Sequence, residues 1–137
     1  MSPPIFRQAL LAGAVAGVLS GIPSTTITLV QRRSPLAAVR AAGALVRRPS
    51  VVGGLAVHGV LSLFWAIGIA AVVGERLRLR DGAAAGLVIG VCDLGLIGRH
   101  VGAIRNLPQL PQYLDHIAFG IVVIAVLQRQ RMGYHLR

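Results

Sequence analysis

Residues 51–73 read VVGGLAVHGVLSLFWAIGIAAVV, 23 positions in which His58 is the one ionisable side chain. A helix of that length rises about 34 Å, enough to cross a hydrocarbon core about 30 Å thick. Arg47 and Arg48 stand before the stretch, and Arg76, Arg78 and Arg80 after it. Headgroups would receive charges placed there. The stretch reads as a transmembrane helix, and the rest of the chain is read around it.

Three further apolar stretches have the same character. One runs over about 9–30 and closes at Arg32 and Arg33; another runs over about 82–98 and ends at Arg99 and His100. After the proline-punctuated segment Asn106–Pro111, the last runs over about 112–128. The predicted fold is all-α: an integral membrane four-helix bundle forming a single transmembrane domain over residues 1–137. The first helix is expected to kink or break at Pro23, because an interior proline removes a hydrogen bond. Hydroxyls of the adjoining Ser24, Thr25 and Thr26 could re-satisfy the freed groups. Arg7 and the apolar run behind it have the outline of a signal peptide. No small-x-small cleavage site follows, and Ile22-Pro23 stands where one would be needed.

A shorter segment, about 35–48, is predicted as an interfacial helix in the first loop. Ser34 would cap it and Pro35 would suit its first position. Leu36, Val39, Ala42, Leu45 and Val46 make its apolar stripe, with Arg40, Arg47 and Arg48 reaching headgroups. A plain connecting helix fits the same residues.

Composition agrees. Of 137 residues 55% are hydrophobic, 13% are charged and the mean hydropathy is +0.72; a soluble domain carries about 25% charged residues. The net charge is +10, and all 14 basic residues are arginine. They lie between and beyond the apolar stretches, not on one soluble face, which argues against nucleic acid and for anionic lipid headgroups as partners. Seven arginines fall on each side of a four-span topology, so charge does not orient the chain. The side reached by the first and third loops is called side B, the other side A. Cys92 is the only cysteine, so no intrachain disulfide forms.

Gly13, Gly17 and Gly21 recur every four residues, as do Gly82, Gly86 and Gly90. Each set puts small residues on one helix face, where a neighbour can approach closely. Each stripe leads to a polar residue, Ser24 or Asp93, and precedes a span with an early histidine, His58 or His116. Two related hairpins would give that pattern.

Ionisable groups within a membrane are expensive and usually have a reason. His58, Asp93, Asp115 and His116 lie inside predicted spans, and Arg99 and His100 at a span end. Counted at 1.5 Å per residue, all of them, with Ser24 and Thr25, belong to the side B half. A polar pocket on that side is the expectation, with those eight residues as candidates for holding a ligand or proton. On an α-helix Asp93 would share a stripe with Gly86, Gly90, Ile97 and His100, and its expected partners are Arg99, His100, His58 or a ligand. Trp65 reads as packing, and Tyr113 and Tyr134 as interfacial anchors. No metal-binding spacing, serine-nucleophile elbow, phosphate loop or dinucleotide fingerprint is present, so no metal or cofactor is expected.

Ser20-Gly21-Ile22-Pro23-Ser24-Thr25, Pro35-Leu36-Ala37-Ala38, Leu107-Pro108-Gln109-Leu110-Pro111 and Asp115-His116-Ile117-Ala118-Phe119-Gly120 resemble a group of small four-span proteins of high-GC actinobacteria. The likeness covers nearly the whole chain and implies a bacterial plasma membrane, but no activity. The arginine-only, alanine- and glycine-rich composition suits a high-GC genome. Small multidrug exporters share the size and span number, but their first-span glutamate has no counterpart here. The leading expectation is a non-enzymatic protein, alone, as a homo-oligomer or as an accessory subunit of a larger complex, that binds a lipid or small polar ligand. An oligomeric transporter or channel using Asp93 and His58, and a membrane enzyme using Asp–His acid/base chemistry, are the alternatives.

Overall fold

The computed structural model describes residues 3–72 and 78–135. Val73, Arg76, Arg137 and the side chain of Tyr134 lie outside the described part. The chain forms α1 (Pro3–Leu19), α2 (Ile22–Val30), α3 (Ala37–Gly43), α4 (Val51–Val72), α5 (Leu79–Gly90), α6 (Gly102–Arg105) and α7 (Gln109–His135). Four segments are long and apolar enough to cross a membrane: Ile5–Val30, Val51–Val72, Leu79–His100 and Gln109–Met132. The fold is all-α with a four-helix arrangement, that of a multi-pass membrane protein. Val18, Val52 and Val72 are 78%, 80% and 84% exposed, a surface that suits lipid and not water.

The first span is broken. Helix α1 stops at Leu19, Ser20 and Gly21 form a turn, and α2 resumes at Ile22 with Pro23 in its first turn. Proline is tolerated there because those N–H groups have no intrahelical partner. The third span departs from α geometry differently: α5 runs into a π-helix over Val91–Ile97 and then a 3-10 turn over Gly98–His100. The fourth begins at Gln109, sooner than predicted, and takes in Pro111. Pro111 falls in the first turn, where a missing N–H breaks no bond, so the helix does not have to wait for it. In the first loop α3 is followed by a 3-10 turn over Ala44–Val46. Ser34 does not cap α3; Leu36 holds that position and no side chain bonds the free amides.

Packing follows the glycines. The main helix contacts are α5 with α7, α1 with α4, and α1 with α7, whereas α4 and α5 barely meet. A Cβ at Gly13 would lie 2.9 Å from the Ala66 Cβ, and one at Gly17 2.9 Å from the Ser62 hydroxyl. A Cβ at Gly86 would run into the His116 carbonyl oxygen, and one at Gly82 would lie 2.9 Å from Ile124. At Gly90 the neighbour is the Tyr113 ring, 2.9 Å from such a Cβ. Gly21 differs from the expectation: nothing lies within 4 Å of a Cβ there. The break turns the chain away before a helix face can be presented. Gly54 lets α3 lie on α4, its missing Cβ leaving room for the Val39 carbonyl.

Ala9, Ala12, Ala16, Ala66, Ile69, Val123, Ile124 and Leu127 form the main core with Ile89 and Phe119. Most belong to the side A half, which is filled with apolar side chains. A second small cluster, Ala41, Leu94 and Ile104, joins α3, the π segment and α6 at side B. Tyr113, half-buried, packs on that cluster.

Candidate functional site

Between the side A core and the side B cluster lies a cavity of about 640 Å³. Its wall includes Ser24, Thr25, His58, Ser62, Trp65, Asp93, Gln112, Asp115 and His116, with α3 contributing Ala38, Val39 and Ala42. Volumes of this order are those of small-molecule sites. His58, Asp93, Asp115, His116, Ser24 and Thr25 thus share one cavity. Arg99 and His100 do not: the Arg99 Nε donates to His100 Nε2 at 3.0 Å on the exposed 3-10 turn.

The π-helix accounts for this. The π-helix and the 3-10 turn after it change the helical phase, so His100 no longer follows the face of Asp93 and is exposed. Leu94 and Gly98 are buried instead. None of Arg99, His100 and His58 is the partner of Asp93; the Asp–His pair forms with His116 instead. The indole N–H of Trp65 donates to both of its carboxylate oxygens, at 3.2 and 3.0 Å. His116 Nε2 lies 3.4 Å from Oδ2. The other ring nitrogen, Nδ1, donates to the Gln112 carbonyl at 2.8 Å. This fixes the ring so that Nε2 faces the acid.

The break in the first span is satisfied in an unexpected way. On an uninterrupted helix the Ser24 amide would bond the Ser20 carbonyl. Here it donates to Asp115 Oδ1 of α7 at 2.8 Å. Asp115 does from another helix what an N-cap side chain does locally, and its charge suits the positive end of α2. The Ser24 hydroxyl lies 3.5 Å from the Gly21 carbonyl and also hydrogen-bonds the Asp115 carboxylate, so the repair centres on Asp115. Asp115→Ala is expected to lower stability by about 1–2 kcal/mol, while Asp115→Asn keeps an acceptor and retains most of it. Unfolding in mixed micelles monitored by helicity measures both.

His58 stands apart from the acids. Its Nε2 donates to the Gly17 carbonyl at 2.7 Å, tying α4 to α1. Nδ1 is then an acceptor. No group of three or more His, Cys, Asp or Glu placed to hold a metal occurs among the described residues. Trp65 is the residue that sequence reasoning missed. A signal existed: a mid-span indole N–H needs an acceptor, and Trp65 shares a stripe with His58 and Ser62. No family model, curated protein or solved structure matches the chain.

Proposed function

We propose that the protein binds a lipid or small polar ligand in the side B cavity and is not an enzyme. One observation carries the reading: a cavity of about 640 Å³ on whose wall both intramembrane acids and two histidines converge. Bonds among the wall residues leave some acceptor capacity unused, since a carboxylate offers about four acceptor positions and Asp93 has contacts at three. The plasma membrane of a bacterium is the proposed location, on the strength of the arginine-only composition and the resemblance described above. The outward arginines would meet anionic headgroups there.

The test is folded yield together with retained ligand. Asp93→Ala, His58→Ala and Asp115→Ala are each purified in mild detergent and extracted for mass spectrometry. Monodisperse variants that lose a molecule co-purifying with the wild type support binding. Loss of every variant to unfolding makes the cluster structural and ends the binding reading.

A transporter is the second reading, favoured by the discontinuous first span, a feature that recurs at transport sites. The filled side A half stands against it. Proteoliposome flux at background over a broad substrate panel and several pH values would remove it.

A further inference from the structure

A second cavity, about 420 Å³, lies outside the first, between α4 and the π segment. Val57, Val60, Leu61, Ile97 and their apolar neighbours line it, and Asp93 is the one polar side chain on its wall. Asp93, Val57 and Leu61 also line the inner cavity, so the two spaces share a partition. Helices α4 and α5 barely meet here. Val60 is 66% and Ile97 51% exposed, on a surface that belongs to lipid if the four spans cross as their lengths allow. The crevice is a hydrocarbon-compatible slot that opens sideways and ends on a carboxylate.

We propose that the site takes a membrane-borne amphiphilic amine, its cationic head against Asp93 and Trp65 and its hydrocarbon tail in the crevice. This rests on the binding function proposed above and names its ligand class. Charge selects the head. No arginine lines either cavity among the described residues, and the carboxylates meet imidazoles, an indole, the Ser24 hydroxyl and a backbone amide. At 3.4 Å His116 is farther from Asp93 than the about 2.7–2.9 Å of a charge-assisted hydrogen bond. An ammonium at that carboxylate gains such a bond, and the Trp65 ring on the same wall favours a cation. A carboxylate or phosphate head would meet Asp93 and Asp115 as like charges. The tail finds apolar side chains along the rest of the crevice.

The full-length protein in lipid nanodiscs is titrated with dodecylamine, dodecanol and dodecanoate, read by the fluorescence of Trp65, the single tryptophan. Dodecylamine is expected to bind about tenfold or more tighter than dodecanol, and Asp93→Asn to bring it to the alcohol's level. Asp81→Asn, at an exposed acid beside Arg80, is expected to change nothing. If Asp93→Asn fails to fold, Val60→Phe fills the crevice from its exposed side. It is expected to weaken dodecylamine and leave butylamine unchanged; equal binding of dodecylamine by this variant and wild type overturns the proposal. Dodecanol or dodecanoate binding as tightly as the amine overturns the cationic class and leaves the pocket standing. Absence of binding by all three overturns both.

Discussion

Gly86→Leu is expected to destroy the folded bundle, and Gly86→Ala to weaken it by about 3 kcal/mol or more. Among the described residues the contact between α5 and α7 is the most extensive, and the two backbones are close at this residue. A Cβ at Gly86 would occupy the place of the His116 carbonyl oxygen, with the Ile117 Cα at 2.7 Å. Both obstacles are backbone, so no rotamer change relieves them and the helices must separate. Separation would also pull His116 from Asp93 and open the cavity. Gly120→Ala tests the same contact from the other helix, where a Cβ would meet the Gly82 carbonyl oxygen. Gly68→Ala is the control: nothing lies within 4 Å, and alanine in a helix interior is expected to stabilise by about 0.5–1 kcal/mol. Denaturation in mixed micelles ranks the three. A Gly86→Ala protein as stable as wild type would mean the helices do not approach as described.

Asp93→Leu is expected to cost about 2–4 kcal/mol, because it strips the Trp65 indole and His116 of a shared acceptor at once. Asp93→Asn keeps one carbonyl oxygen for the indole and is expected to lose about half as much. Trp65→Phe removes the donor and leaves the carboxylate with His116. In a double-mutant cycle, Trp65→Phe and Asp93→Asn should couple by about 1 kcal/mol or more, since the two groups bond directly. Additivity within about 0.3 kcal/mol would mean no such bond contributes.

The span lengths were legible because apolar runs of 17 to 23 residues between arginines have few other readings. The glycine stripes were legible as close packing for the same kind of reason, one residue type repeated at helical spacing. Two local departures from the α-helix were harder. Pro23 announces a break but not which group repairs it; that depends on where α7 places Asp115, a tertiary fact. The π-helix after Gly90 has no proline or other punctuation, and extending the 3.6-residue phase through it put His100 beside Asp93. Asp93 instead meets Trp65 and His116, which lie 28 and 23 positions away in the chain. The four intramembrane ionisable groups could be found by their cost alone. Their pairing could not, because span-end Arg99 and His100 look nearer on paper than a mid-span indole does. Each glycine stripe runs up to a departure from α geometry, the Ser20–Gly21 turn in one hairpin and the π segment in the other. The two polar clusters are built at those departures.

The convergence of the second, third and fourth spans on Asp93 is tested most directly by the indole N–H resonance of Trp65, unique in this chain. In 15N-labelled full-length protein, one resonance protected from deuterium exchange is expected. It should move in Asp93→Asn and in His116→Gln and stay in place in Asp81→Asn. A resonance that exchanges freely, or that ignores Asp93→Asn in a folded sample, would contradict the site described here.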